Sequence, residues 1–336
     1  MKKLRIGIIG CGRIFPAHAQ SVIRLEQAQF VACCDTDAGA LSAACNEYQV
    51  KGYSDYKEMI DKETLDAVHV CLPHYLHGEV SRYALKKGVH VLCEKPMSIT
   101  YADALETVRV ANEYKKLYGV IFQCRYNYAP MYVKKILAEG KLGKVLAARS
   151  VLTWKKDTEY YLSDDWHGTW EKEGGGVVIN QCIHTIDLVN WLIDSKVENV
   201  SCSMSRRRLH EIEVEDTAEG LITYEKGTRY LFYCSNNYMV SEPIEIRLCC
   251  EKGKVFLSYD EATIVYADGK TERINVSNAG KTIDGIKPYW GNTHVCQIEQ
   301  FYNACLGKEP LEISGESCLE LQKLICDIYA QGKKSL

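Results

Sequence analysis

The sequence has no Cys-x-x-Cys pair, although it holds sixteen cysteines. They fall singly or as the neighbours Cys33–Cys34 and Cys249–Cys250. That scatter excludes zinc-ribbon and thioredoxin-type motifs, and no Cys, His and Glu cluster has ligand spacing along the chain, so no metal is expected. Free cysteine behaves as a small buried hydrophobe, and so many of them fit a reducing cytosol. No apolar run is long enough to span a bilayer. Met1–Arg5 is basic, but Ile6–Ile9 runs straight into glycines, too short for the apolar core of a signal peptide. A charge excess is missing as well, with 41 Lys and Arg against 44 Asp and Glu, a net of −3. Nothing in that balance favours nucleic acid or an anionic membrane as partner. A cytoplasmic globular protein is the expectation.

What is present is length and periodicity. At 336 residues the chain exceeds what one hydrophobic core normally holds, so two domains are expected, 1–122 and 123–336. The first alternates short continuous apolar strands with helices: strands at Leu4–Ile9, Phe30–Cys34, Ala67–Leu72, Val89–Cys93 and Val120–Gln123, with a helix Tyr101–Tyr118 before the last. Such strands between helices predict a doubly wound parallel sheet of Rossmann type. The second has helices at Tyr132–Glu139 and Val177–Leu192. Alternating runs follow, from Val197–Arg206 to Ala262–Tyr266, broken by turn signals such as Glu225-Lys226-Gly227. These predict an α/β domain with a large, mostly antiparallel open sheet. Two helices, about Val295–Leu306 and Ser317–Gln331, close the chain.

"IGIIGCGRIFPAHA" sets Gly10 and Gly12 directly after the first strand and before a helix. Gly10 permits the tight turn, and Gly12 lets the backbone approach a pyrophosphate at the helix N-terminus, with Arg13 and Ile14 in the same loop. Phe15 stands where the fingerprint has its third Gly or Ala. Asp35 ends strand two, where a carboxylate accepts from both ribose hydroxyls and repels a 2′-phosphate. The pattern predicts NAD rather than NADP. By itself an Asp after a strand is also an ordinary turn residue.

The run Val89–Leu92 ends abruptly in Glu94, Lys95 and Pro96. A charged pair at the carboxyl end of a buried strand is costly unless it lines a cleft, which is where doubly wound sheets bind ligands. Pro96 restricts Lys95 to extended geometry and allows a cis Lys95–Pro96 bond. A surface Lys in a turn after an edge strand would read the same way.

"HYLHGEVSRYALKKGVHVLCEKPMSIT", "FQCRYNYAPMYVKKILAEGKLGKV" and "WHGTWEKEGGGVVINQCIHTIDLVNWL" together resemble the Gfo/Idh/MocA family of sugar and polyol dehydrogenases, named for glucose–fructose oxidoreductase and inositol dehydrogenase. The resemblance covers essentially the whole chain. It implies that Lys95 sits beside the nicotinamide and contacts the substrate alcohol. It implies that Pro73, His74, His77 and Glu94 lie on the cofactor side, with Glu94 steadying or tuning Lys95 and His77 also placed to cap its helix. It also implies that the second sheet forms the interface of a homo-oligomer, a dimer or tetramer.

In the third motif Asn180 and His184 stand four apart, on one helix face, and the run Gly174-Gly175-Gly176 lets the helix start lie close to a ligand. Many family members have Asp where Asn180 stands. An amide takes no proton, which leaves His184 as the expected general base and Asn180 as a substrate-positioning group. Asp187 reads as structural. Arg125, Tyr126 and Trp166 are the further substrate-binding candidates. The Asn form resembles branches acting on glycosides or nucleotide sugars, often at the C3 hydroxyl. The leading expectation is therefore NAD-dependent oxidation of a pyranoside, with inositol or another polyol as the alternative. A regulator that binds NAD without turnover is the alternative of another class, and it has no need of both Lys95 and His184.

Overall fold

The structure, a computed structural model, describes residues 3–275 and 293–336; Met1 and Lys2 of the basic start lie outside it. Two compact units share the chain. The described part of the first takes in residues 3–123 and 293–319, and that of the second takes in 124–275 and 320–336. Among the described residues no helix is long and apolar enough to cross a membrane.

The first unit is built on strands β1 (Leu4–Ile9), β2 (Ala28–Cys34), β3 (Lys51–Tyr53), β4 (Ala67–Val70), β5 (His90–Cys93) and β6 (Tyr118–Val120). Every pairing is parallel and the order is β3-β2-β1-β4-β5-β6. The order reverses at β1, as in a doubly wound sheet, so the loops after β1 and β4 diverge there. Helices α1 (Phe15–Arg24), α2 (Ala38–Tyr48), α3 (Tyr56–Lys62), α4 (His77–Lys86) and α5 (Tyr101–Glu113) connect the strands. Side-chain caps start three of them: Asp37 accepts from Ala40 N at 2.7 Å, Asp55 from Lys57 N at 2.8 Å and Thr100 from Asp103 N at 3.2 Å. Helix α5 stops at Glu113, five residues before its expected end at Tyr118, because Lys115 turns left-handed at φ +52°. That shift moves β6 back to Tyr118–Val120, and residues 123–126 become a short 3₁₀ turn.

The core of this unit is Ile6, Ile8, Leu92 and Ile121 against Ile298, Phe301 and Tyr302. The last three belong to helix α9 (His294–Cys305), which packs on α1. Gln297 ties α9 to the sheet edge, taking Phe122 N at 3.0 Å and giving to Val120 O at 2.7 Å. Residues 293–319, late in the chain, thus belong with the first unit.

The second unit carries β7 (Val145–Thr153), β8 (Val197–Ser205), β9 (Thr217–Tyr224), β10 (Arg229–Ser235), β11 (Glu245–Cys250), β12 (Gly253–Leu257), β13 (Glu261–Tyr266) and β14 (Thr271–Asn275). They form one open sheet in the order β14-β13-β12-β11-β7-β10-β9-β8, antiparallel except between β7 and β10. Helices α6 (Tyr128–Ala138) and α8 (Ile183–Ile193) pack on it. The period-two pattern sends Ala148, Ser150, Leu152, Tyr230 and Phe232 inward. The opposite face stays open, with Leu231 56% and Leu146 50% exposed. A single short turn, α7 (Thr158–Leu162), precedes the Trp166–Trp170 loop. Helix α10 (Gly315–Gly332) ends the described regular structure apart from a final 3₁₀ turn.

Candidate active site

Adjacent strands β1, β4 and β5 end side by side, and their backbones bond across the ends. Cys71 N reaches Ile9 O at 2.7 Å and Glu94 N reaches Val70 O at 2.9 Å. Gly10 has φ +98°, and a Cβ there would stand 2.2 Å from the Cys71 carbonyl oxygen, so the turn after β1 admits glycine alone. Gly12 is exposed, and the space where its Cβ would lie holds no atom within 4 Å. Helix α1 begins behind it with no side-chain cap. Asp35 accepts from Cys11 N at 2.7 Å through one oxygen and from Asp37 N at 2.8 Å through the other, pinning the glycine loop to the end of β2. An open glycine backbone, an uncapped helix start and a carboxylate on the neighbouring strand fit a dinucleotide. Phe15 of α1 packs toward strand β2. Its ring is buried beside Phe30 and Tyr48, with centroids at 6.2 and 5.6 Å.

After β4, Pro73 leads into a 3₁₀ turn that buries His74, and α4 opens with His77. After β5, Lys95 is half-buried and followed by a cis bond to Pro96. Glu94 turns inward. Its Oε1 meets His18 Nε2 at 2.9 Å and His294 Nε2 at 3.5 Å, while Oε2 accepts from Lys95 N at 3.2 Å. Burial by itself would push the Glu94 carboxyl up. Hydrogen bonds from the two histidines reverse that and hold it well below the usual carboxylate range.

In the second unit, one wide π-type turn, Val178–Cys182, leads into α8. A wide turn lowers the rotation per residue, so residues four apart come closer to a full turn. Between Gly174 and Val189 every residue is buried except Asn180 and His184. Asn180 Nδ2 donates to Glu173 Oε1 at 2.6 Å, and buried Glu173 also takes Gly168 N at 2.6 Å. The Tyr160 hydroxyl lies 3.4 Å from His167 Nε2 and 3.3 Å from Gln181 Nε2, and Asp164 holds His167 Nδ1 at 2.7 Å. Trp166 stacks on His167 at 3.6 Å. Tyr126 is half-buried. Trp154 and Tyr161 are core residues, exposed by only 6% and 2%.

Residues 4–122 match the family described as oxidoreductases with an NAD-binding Rossmann fold, and residues 131–256 match the GFO/IDH/MocA C-terminal domain. The 1,5-anhydro-D-fructose reductase of Ensifer adhaerens is 30% identical over 235 residues, 68% of each chain. The chain belongs to the Gfo/Idh/MocA family. It is an NAD-dependent oxidoreductase of sugars or polyols. Myo-inositol 2-dehydrogenase of Thermotoga maritima is 24% identical over 318 residues, 93% of this chain and 91% of that one. Among solved structures, the WlbA dehydrogenase of Bordetella pertussis, in complex with NADH and UDP-GlcNAcA, superposes with TM-score 0.86 at 26% identity. The match covers 100% of this chain and 98% of that one.

Two expectations for this Gfo/Idh/MocA chain change, the cap by His77 and the use of the glycine run. His77 is fully buried, with Nδ1 2.7 Å from Pro96 O and Nε2 2.7 Å from Leu72 O. The neutral ring donates to one of these carbonyls and packs against the other, so His77 clasps the loops after β4 and β5, and α4 has no side-chain cap. The glycine run makes room for protein rather than ligand. A Cβ on Gly175 would stand 2.0 Å from the Tyr329 hydroxyl, and one on Gly176 would stand 1.9 Å from the Glu215 carbonyl oxygen. Glu215 accepts there from Gly176 N and Val178 N, each at 3.0 Å, and from Tyr329 OH at 2.7 Å. Arg125 is committed to Asp187 through two of its nitrogens. Sequence reading missed His18, His69, His294, Glu173 and Glu215. Glu173 bonds Gly168 and Asn180 nearby, but the partners of the other four lie far along the chain, where no local spacing marks them.

Proposed function

We propose that this protein oxidises a secondary hydroxyl of a pyranoside, the C3 hydroxyl of a nucleotide sugar or glycoside, with NAD as hydride acceptor. The observation that carries the reading is the pair Asn180 and His184, alone part-exposed on an otherwise buried helical stretch. The WlbA dehydrogenase complex with UDP-GlcNAcA supports the nucleotide-sugar class. When bound, the nicotinamide supplies the hydride chemistry. His184 takes the hydroxyl proton, and the Lys95 ammonium stabilises alkoxide character. Asn180, its Nδ2 held by Glu173, orients a hydroxyl. Gly10, Gly12, Arg13, Ile14, Asp35, Pro73 and His74 hold the cofactor. Arg125, Tyr126 and Trp166 shape the sugar side. The extent of the match to myo-inositol 2-dehydrogenase favours a polyol as the second reading. The protein works in the cytoplasm, where its sixteen free thiols stay reduced, and as a homo-oligomer through the open face of the second sheet.

A panel of UDP-sugars, glycosides and inositols with NAD tests the reading. NADH absorbance must rise and the product must lose the mass of two hydrogens. Turnover confined to inositols gives the second reading, and no turnover with any member leaves the regulator.

A further inference from the structure

Five buried side chains of the first unit form a continuous polar chain through its apolar core. Tyr302 OH lies 2.9 Å from His69 Nε2. His69 Nδ1 lies 2.9 Å from His18 Nδ1, and His18 Nε2 lies 2.9 Å from Glu94 Oε1. His294 approaches the same oxygen. His18, His69 and Tyr302 have no exposed surface, and Glu94 has 6%. They come from α1, β4, α9 and the end of β5, so no sequence interval joins them.

The proton count fixes the direction of every bond. An ionised Glu94 only accepts, so His18 Nε2 carries a proton. A neutral His18 then accepts at Nδ1, which makes His69 the donor at its own Nδ1. His69 Nε2 accepts in turn, and the Tyr302 hydroxyl donates to it. One neutral tautomer of each ring satisfies the whole run, with all donors pointing toward Glu94. Burial lowers both histidines, and Glu94 pulls each only partly back, in keeping with neutral rings. Cys71, Cys93 and His77 also face Glu94. Burial keeps the two thiols protonated and lowers His77.

We propose that Tyr302, His69 and His18 form a one-way donor chain that keeps Glu94 a carboxylate, and that His18 is thereby a positioning residue for Lys95. Glu94 Oε2 holds the Lys95 main-chain N–H, so the chain fixes where Lys95 projects and places a negative charge one residue away. The inference deepens the functional reading and rests on the role given there to Lys95. Ring nitrogens of His18 and His294 and a Glu94 oxygen also lie within 4.8 Å of one another, close enough for a shared cation. The hydrogen-bond direction derived above already employs the His18 nitrogen and the Glu94 oxygen without one.

The test uses the full-length protein and four variants: His18→Leu, His18→Gln, Tyr302→Phe and Glu94→Gln. Losing the His18 donor favours the neutral acid, so kcat/KM should fall more steeply at acid pH in His18→Leu, a second protonation joining the one assigned to His184. His18→Gln keeps an N–H donor and should restore the native profile. Tyr302→Phe, which changes one atom, should shift it the same way by less. Infrared difference spectra between pH 8 and pH 5 should show, over the carboxyl signal of native protein, an added protonated-carboxyl band in His18→Leu that Glu94→Gln in the same background abolishes; this readout does not depend on turnover. An unshifted profile with no such band in His18→Leu and Tyr302→Phe overturns the proposal, as does a stoichiometric metal in native protein that His18→Leu releases. Full activity in Lys95→Ala would instead refute the role of Lys95, and the infrared band would still decide the chain.

Discussion

Arg125 grips both carboxylate oxygens of Asp187, Nε to Oδ2 at 2.8 Å and Nη2 to Oδ1 at 2.5 Å, and Asp187 has no exposed surface. Burial raises the Asp187 carboxyl and Arg125 pulls it back. Removing one partner strands the other charge. Arg125→Ala should destabilise the protein by about 3–5 kcal/mol, and Arg125→Met with Asp187→Leu should recover most of that. Urea unfolding measures both. A double-variant loss equal to the sum of the losses of its two single substitutions would show that the pair is not coupled.

His184 as base predicts a limb in the pH profile. Oxidation, followed as kcat/KM, should rise with pH through a group near the free histidine value of about 6.5. His184→Gln should remove the limb and most turnover while sparing NAD affinity. Asn180→Asp adds a carboxylate four residues from His184, which favours the charged ring, so the limb should move to higher pH. A profile indifferent to His184 assigns the proton to another group.

Acid should unfold the protein early. His18, His69 and His77 are lowered by burial, and His90 is lowered to about 4, also chiefly by burial. Their unfolded forms bind protons below about 6.5 while the folded forms do not, so stability present above that value is lost as pH falls. Each contributes roughly 1 kcal/mol per pH unit in that window. Glu215, Asp187 and Asp260, all raised by burial, act the opposite way, but they are three against four. The thermal midpoint should fall by several degrees from pH 7 to pH 5. A flat profile would mean that these rings are charged in the folded state.

Asp35 should set cofactor choice. Calorimetry should find NAD bound at least about tenfold tighter than NADP, because a 2′-phosphate meets a carboxylate of like charge. Asp35→Ser should narrow that ratio, and tighter NADP binding in the native protein would contradict the role.

The open sheet face should be covered in solution. Leu231 lies beside Arg149 on it, and Leu231→Glu should lower the mass found by light scattering toward that of one chain. A native protein already at the mass of one chain would refute the interface.

Much of this architecture is legible because it is local. The strand Leu4–Ile9, the glycine turn and the helix bearing Asn180 and His184 each announce themselves by period or by punctuation. The three-residue strand Lys51–Tyr53 does not, since it is defined by its partner β2 rather than by its own residues. Glu94 was visible, but the direction in which it faces was not. Its partner His18 lies 76 residues away, and the next link, Tyr302, bonds His69 across 233. The glycine run was read for its freedom, and only the fold shows that Glu215 and Tyr329 use the space.

The Tyr329 hydroxyl also accepts from Ile179 N, 150 residues earlier. The turn that presents Asn180 therefore waits on a residue translated long after it. A nascent chain can build the helix early, but its first turn gains this anchor only after Tyr329 has cleared the ribosome. Anchorage of that turn is in that sense a late event of synthesis, and a chain cut short of Tyr329 would carry Asn180 and His184 on an unanchored helix.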